Sequence, residues 1–576
     1  MQRETTDVLV VGAGPAGLIA SALLSRAGIS SLTVTKYGST ADSPRAHVVN
    51  QRSNEVFRDL GIDQRVMVNA MPQAMMAIQP FATSFAGREI CRMTSFGGGD
   101  RDCDYRAASP TEMCNAGQHA LEPILLDAVR EAGGDVRFDH EVVAVSQTAA
   151  HASAVVHNRR AGGEYEIEAK YIIGCDGGRS LVGEQGGFAF EGTAALGDAI
   201  TVWIEADLSK YAAHRCGALF WVCGPGSDDV FSAWTCVRPF TEWSTIFIQH
   251  GLAPIDRSEA TVMAKVRAAI GDPDVDVRIK KISSWQIHNV VAEQYRHGRL
   301  FLAGDAAHRH PPANGLGMNT SIQDAYNLVW KLALVLNGGA GDGLLDTYQD
   351  ERRPEGRKIV DRAIRSVGEM LPFIEALGFR GDQTYDEAMA ILGHLHGPAG
   401  ENRRQALLAA MDLLNGQFNA HGVEMGQRYE SAAVINDDTP YPTDGREPDL
   451  YYVPTTHPGA HVPHVWLERD TAPVSTLDLC AYDRFTLITG IDGHAWNVAA
   501  ANVGAELNVP IDAVCVGLGQ PANDALGAWT RSREITDGGC VLVRPDRFVA
   551  WRSAGTVTNP TSTLREVMAQ ILDRPK

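Results

Sequence analysis

The run Ser43-Pro44-Arg45-Ala46-His47-Val48-Val49-Asn50 holds an imidazole able to take a proton near neutral pH, two residues after a fixed positive charge. Arg45 suits a phosphate, although the same pair also fits a solvated arginine and a loop histidine. Gly12-Ala13-Gly14-Pro15-Ala16-Gly17 offers a second chemistry: backbone N–H groups with few side chains in the way of a pyrophosphate. A third pattern lies near residue 300. There Gly304-Asp305 supplies a carboxylate suited to a polyol, and Pro311-Pro312-Ala313-Asn314-Gly315-Leu316-Gly317 supplies a turn that a ligand can approach closely. Asn319, Thr320 and Ser321 then read as helix N-caps, and a helix start attracts the anionic end of a cofactor.

Each of these groups needs an element to hold it. Asp7–Val11 reads as a buried parallel strand, residues 16–27 as a helix ending at Gly28, and Ser31–Thr35 as a second strand. That is the context a dinucleotide fingerprint requires, with Gly12 for the tight turn, Gly14 for the phosphates and Gly17 for helix–strand packing. The acid expected at the end of the second strand is missing. Thr35-Lys36-Tyr37 stands there instead, so either Thr35 makes a weaker ribose contact or Lys36 and Tyr37 hold the adenosine end differently. Leu300–Ala303 reads as a strand feeding Gly304-Asp305, and Leu328, Val329, Leu332 and Val335 carry the following helix. Taken alone, that stretch is also compatible with a plain strand–loop–helix connection.

Gln118 stands at the start of an amphipathic helix, where it can bond a cofactor or simply begin the helix. Asp176-Gly177 ends another strand and reads as a second acid–glycine junction or as an ordinary Asp-Gly turn. Residues 198–206, 218–223, 230–238 and 244–250 read as strands, followed by a helix over 259–270 and a strand over 277–285. This α+β insertion can wall a ligand pocket, with Trp221, Trp234, Arg238 and Trp285 as candidates for lining it. Helices over 345–364 and 407–414, a Pro/Asp/Thr-rich connection and a last α/β alternation complete the chain.

A length of 576 residues implies two or three domains. The net charge of −19 argues against nucleic acid or an anionic membrane as partner. Ten scattered cysteines, without CxxC or zinc spacing, point to reduced thiols and no metal. No apolar run reaches membrane-spanning length, and the N-terminus passes directly into a strand; a cytoplasmic protein is expected.

With Gly12–Gly17, Asp176-Gly177 and Gly304-Asp305 in that order, the chain resembles the FAD-dependent, single-component aromatic hydroxylases of the p-hydroxybenzoate hydroxylase fold. TKYGSTADSPRAHVVNQRSNEVFRDLG, Gln118 before LEPILL, ADLSKYAAHR and GDAAHRHPPANGLGMNTSIQDAYNLVWKLA look like the phenol hydroxylase branch. The tail, with Pro463-His464-Val465-Trp466 and Leu542-Val543-Arg544-Pro545-Asp546, resembles that branch's thioredoxin-like domain. Without CxxC, its implied role is packing or dimerisation.

The expected architecture is therefore a Rossmann-type FAD-binding domain at 1–185 and 286–375, a substrate-binding sheet at 186–285, a helical segment and linker at 376–462, and a thioredoxin-like domain at 463–576. The resemblance implies ADP on Gly12–Gly17, ribitol near Asp305 and the isoalloxazine ring at Gly315, Gly317, Met318 and Asn319. It adds Arg45 and Gln118 as FAD contacts, and associates Asp176 with FAD and a transient NAD(P)H. The implied reaction is ortho-hydroxylation of a phenol to a catechol with NAD(P)H and O2 through a flavin C4a-hydroperoxide. His47 would take the phenolic proton, Arg238 is a second catalytic candidate, and both would touch the substrate beside Trp221. A homodimer or homotetramer is expected.

A flavin oxidase, or a tailoring monooxygenase acting on a larger polycyclic aromatic, is the alternative. A halogenase would carry a WxWxIP motif, which is not found here. A non-catalytic nucleotide-binding redox sensor belongs to a different class and would not need Asp305.

Overall fold

Val8, Leu9, Val10 and Val11 are buried without interruption, as a strand covered on both faces must be. In the computed structural model, which describes residues 2–215, 217–225, 231–249 and 255–575, they end the strand Gln2–Val11 inside a sheet that is parallel at its centre. Ser31–Val34 pairs on one side and Glu164–Gly174 on the other, with Leu300–Leu302 beyond. Register sets the consequence: Val11 lies opposite Gly174, and Gly174 opposite Leu302. The Gly12–Gly17, Asp176-Gly177 and Gly304-Asp305 turns thus leave one sheet at one edge. Helix Pro15–Arg26 packs on helix Gly317–Leu336, which is buried from Met318 to Leu332.

The second sheet runs His308–Arg309, Arg278–Ala292, Phe190–Glu205, Glu242–Ile248, Ser232–Arg238, Leu219–Val222, Ile78–Ala82, Glu89–Thr94. Its strands alternate. Trp234 and Cys236 enter a core with Phe85, Phe220 and Trp243, whereas Ala233 and Thr235 face the other way and are half-buried. Two expected boundaries change here. Residues 78–94 join this sheet and not the first, because Phe81 pairs with Trp221, a contact no local periodicity announces. Arg278–Ala292 also runs as one strand across the expected break at 285/286. Val230 and His250, expected strand ends, lie outside the described residues.

Helix Asp346–Leu377 continues well past Ile364 through Pro372. An unexpected helix, Tyr385–Leu395, opens on a reciprocal cap between Thr384 and Glu387. Helix Glu401–Phe418 follows. The last sheet is ordered Ala472–Ser475, Trp466–Arg469, Ala522–Asn523, Ile511–Gly517, Phe485–Thr489, Cys540–Val543, Val549–Ser553. No helix of the described residues is long and apolar enough to cross a membrane.

This last unit is fastened to the first by buried charge. Arg544 donates to Glu351 at 2.5 and 2.8 Å and to Asp546 at 2.5 Å, and Lys331 donates to Glu351 at 2.7 Å. Asn327 completes the group with bonds to Glu351 and Asp546, and every member is buried. Burial pushes the Glu351 carboxyl up, but Arg544 and Lys331 outweigh it and hold the group far below its ordinary range. Glu351→Ala would leave Lys331 without a counter-charge and Arg544 with Asp546 alone. We expect it to lower unfolding free energy by about 3–5 kcal/mol in chemical denaturation; a loss within experimental error would mean the network is neutral to stability.

Candidate active site

The glycines of the first turn are used differently. Gly12 sits at φ +109°, and a Cβ there would strike the Cys175 carbonyl; a Cβ on Gly17 would strike the Gly12 carbonyl. Both are consumed by the protein's own packing. A Cβ on Gly14 would meet nothing within 4 Å, so this position alone opens onto free space. Helix Pro15–Arg26 starts there with no side-chain cap and no acid in its first turn, leaving its N–H groups to an outside anion.

Beside it, Gly304 adopts φ +63° and carries Asp305 outward to an exposed position. Asp324 holds this turn from below: one carboxylate oxygen accepts the Gly304 N–H and the His308 Nε2, each at 2.9 Å, and the other accepts Arg352 Nε at 2.8 Å. Burial raises the Asp324 carboxyl, but Arg352 and His308 reverse the effect and keep it charged. His308 is thus structural, and His310 bonds the Pro311 carbonyl.

Helix Gly317–Leu336 also begins without a side-chain cap. Asn319, Thr320 and Ser321 do not cap it, contrary to expectation, because the helix starts earlier and they lie within its first turns. The Thr320 and Ser321 hydroxyls turn back to the Leu316 and Gly317 carbonyls, and Asn319 reaches sideways to Val48 O at 2.9 Å and Asn50 N at 3.0 Å. The helix N–H groups remain available, beside Gly315, Gly317 and a buried Met318.

Of the remaining expected cofactor residues, Thr35 is buried, with its hydroxyl 3.5 Å from the Tyr37 amide, while Tyr37 is exposed beside Lys36. Arg45 is exposed. Gln118 spends one amide N–H on Glu122 at 2.6 Å, and Glu122 in turn accepts the Ala41 N–H. Asp176 does not present its carboxylate to the edge. It bonds the Ser180 hydroxyl at 2.5 Å and the Val182 N–H at 3.1 Å, bracing the short helix that follows, while the neighbouring Cys175 backbone abuts Gly12.

His47 is held from both sides. Asn115 gives its Nδ2 to Cys236 O at 2.9 Å, so its Oδ1 faces His47 Nδ1 at 2.8 Å, and that nitrogen must carry the hydrogen. Nε2 is then a bare acceptor, 3.2 Å from the Thr235 hydroxyl. Burial drives the imidazole down to about 4, only partly offset by Asn115. The group is therefore neutral at pH 7 and titrates well below the near-neutral range expected of it. Its neighbour Val48 touches the other site directly, bonded to Asn319 and lying where a Cβ on Gly315 would collide.

Trp221 shares the Thr235 side of the second sheet, donates to Gln79 at 2.5 Å, stacks with Phe81 and Phe231, and meets Phe418 at a tilt. Arg238 is not brought to His47. Its side chain is 73% exposed and lies 3.5 Å from Glu242: alternation sets it off the Thr235 face, and the strand ends there, beyond the core that takes Trp234 and Cys236. Asn115 and Thr235 went unnoticed in the sequence. They lie 68 and 188 residues from His47, and only the bridge Val48↔Asn115 and the second sheet bring them together. Asn314 was missed too: at φ +63° it donates to Gly416 O at 2.8 Å, joining the glycine turn to helix Glu401–Phe418.

Open space at Gly14, two helix starts without side-chain caps and an outward acid fit a flavin dinucleotide, which these residues would hold. Residues 5–363 match the family model described as FAD binding domain, and residues 455–575 that described as Aromatic-ring hydroxylase, C-terminal. The chain belongs to the FAD-dependent aromatic-ring hydroxylases, flavin monooxygenases that use FAD. It is 41% identical to 2,4-dichlorophenol 6-monooxygenase of Delftia acidovorans, covering 98% of each chain, and 40% identical to phenol 2-monooxygenase of Pseudomonas sp. (strain EST1001), covering 98% of this chain and 92% of that one. Among solved structures, the flavin-dependent monooxygenase PieE in complex with FAD and substrate superposes over the whole of both chains, with a TM-score of 0.96 and 44% identity.

The glycine geometry separates two kinds of damage. Gly14→Ala should leave the unfolding temperature of the FAD-free protein unchanged and weaken FAD binding by about tenfold or more, since only the ligand meets the new methyl. Gly17→Ala should destabilise the FAD-free protein. Equal destabilisation by both would mean that Gly14 does not face the cofactor.

Proposed function

We propose that the protein hydroxylates a phenol ortho to its hydroxyl: phenol, NAD(P)H, H+ and O2 give a catechol, NAD(P)+ and water. The observation that carries this reading is the union of His47 with the glycine-turn helix: a bare imidazole nitrogen on one residue, and a hydrogen bond from Asn319 to the next. Bound FAD supplies the electron relay from NAD(P)H and the place where O2 is reduced. The chain's residues do the rest. Gly14 leaves room for the pyrophosphate, Asp305 meets the ribityl chain, and the start of helix Gly317–Leu336 stabilises negative charge at the ring. Thr35, Lys36 and Tyr37 lie toward the adenosine end; Arg45 and Gln118 flank the same cleft.

The substrate would lie against the face of the second sheet that carries the half-buried Ala233 and Thr235 and the buried Trp221. His47 Nε2 accepts the phenolic hydrogen, which raises electron density at the ortho carbon. Names of the relatives quoted above, dichlorophenol and phenol monooxygenases, support the substrate class.

The same reading makes the first sheet Rossmann-type and the last unit thioredoxin-like. Support for the second point is the order of Ile511–Gly517, Phe485–Thr489, Cys540–Val543 and Val549–Ser553, with the first two parallel and the later pairs antiparallel. Nine free cysteines among the described residues support a reducing, cytoplasmic setting. Val367 and Leu371, exposed one turn apart on helix Asp346–Leu377, support a homodimer or homotetramer.

NADH and NADPH oxidation should be stimulated by phenols, with oxygen uptake and a product one oxygen atom heavier by mass. Hydrogen peroxide alone, from simple, chlorinated, aryl-substituted and polycyclic phenols alike, would replace this reading with an oxidase. His47→Ala should cut hydroxylation by about 10²-fold or more with FAD still bound. Because the folded imidazole is depressed to about 4, it stays a proton acceptor above that pH and is lost as pH falls through it. The acid limb of the rate profile should therefore lie near 4 and disappear in His47→Ala; a limb near 6.5 would assign the proton to another group.

A further inference from the structure

Between the last unit and the Gly304 turn runs an unbroken series of buried contacts. The ring of Tyr429 is stacked on Phe548 with centroids 3.9 Å apart, and the Arg544 guanidinium lies 5.4 Å from its centre. Its hydroxyl accepts from Arg352 Nη1 at 3.0 Å; the same nitrogen also donates to Gln427 at 3.1 Å. Arg352 Nε donates to Asp324, and Asp324 accepts the Gly304 N–H. Tyr429, Arg352 and Asp324 are buried to at least 98%. Each of these groups is buried, so a link that is cut leaves a buried polar group short of its partner.

We infer that the Arg544–Phe548 turn positions the Gly304–Asp305 turn through Tyr429, Arg352 and Asp324, and that the last unit thereby sets how tightly FAD is held. The inference rests on the reading that Asp305 meets the ribityl chain. Its members are positioning residues that touch no reacting atom. A second observation supports the direction of the effect. Gly304 has room for no side chain on the side of Ser321 and Ala16, since a Cβ would lie 2.9 Å from the Ser321 hydroxyl oxygen and 3.5 Å from the Ala16 Cβ. With that side closely packed, a turn whose amide is released has the outward side, where Asp305 is exposed, as its freer direction.

Full-length protein stripped of FAD and titrated with it gives the test, read by quenching of FAD fluorescence and by unfolding temperature with and without FAD. Tyr429→Phe keeps the stack and removes one hydrogen bond to a charged group. The expected result is an FAD affinity about tenfold weaker, and a smaller FAD-induced rise in unfolding temperature. Phe548→Leu, made inside the last unit, should act in the same direction. Arg58→Met cuts an interdomain ion pair off this route, Arg58 to Asp478 at 2.7 Å, and should leave FAD affinity unchanged. Unchanged affinity in Tyr429→Phe and Phe548→Leu overturns the inference, as does an equal loss in Arg58→Met, which would indicate domain docking in general. Asp305→Ala separates the two readings. If it weakens FAD while Tyr429→Phe does not, the site stands and the brace falls; if it has no effect, both fall.

Discussion

A negative charge kept where water does not reach is the constraint on which this molecule turns. Asp324 is fully buried, and an isolated carboxylate there would be neutralised by protonation. Arg352, His308 and the Gly304 amide make the charged form the stable one, and in doing so they fix three separate segments around two oxygen atoms. One of those segments is the end of the strand Leu300–Leu302, whose register ties it to Gly174 and Val11. Placing Gly304 correctly therefore also places the Gly12 turn, so both turns are set by one sheet edge and one buried ion pair.

The environment of His47 follows a different logic. A phenol of pKa about 10 facing an imidazole lowered by burial to about 4 would resist complete proton transfer. His47 is thus poorly suited to creating a free phenolate before the reaction. It is well suited to accepting a hydrogen bond in the resting complex and a proton only as the aromatic ring loses electron density. Burial provides that property twice over: it keeps Nε2 unprotonated at working pH, and it leaves Asn115 as the single strong director of the ring. Basicity has been exchanged for orientation, which is the larger contribution when the acceptor needs to act only in the transition state.

How much of this could be read from the chain depends on the distance over which each interaction acts. The glycine turns, helix Glu259–Ile270 and the strands Phe485–Thr489 and Ile511–Gly517 were legible because propensity, caps and hydrophobic period are local. His47 stood out as a candidate by residue type and neighbourhood. Its partners did not, since Asn115 and Thr235 acquire their roles only through sheet register. Arg238 failed for the reverse reason: a charged residue near a pocket-forming strand looks functional until the pleat is known to set it off the Thr235 face, beyond the end of the core. Asp324 and Arg352 read as ordinary helix charges. Burial of this kind is a property of helix packing, and neither residue carries a local mark of it.

The last unit shows why such burial is tolerated. An apolar contact would attach it as firmly. Apolar surfaces, however, are indifferent to small shifts in register, whereas Arg544, Lys331, Glu351 and Asp546 can satisfy one another in one arrangement only. A slip of a few ångströms would leave charges unpaired in a dry interior, at a cost comparable to a whole domain's net stability. The charges therefore work as a register lock. Glu351 and Arg352 are adjacent in one helix, the first gripping the last unit and the second gripping Asp324, so a lock on one side of that helix is also a lock on the other.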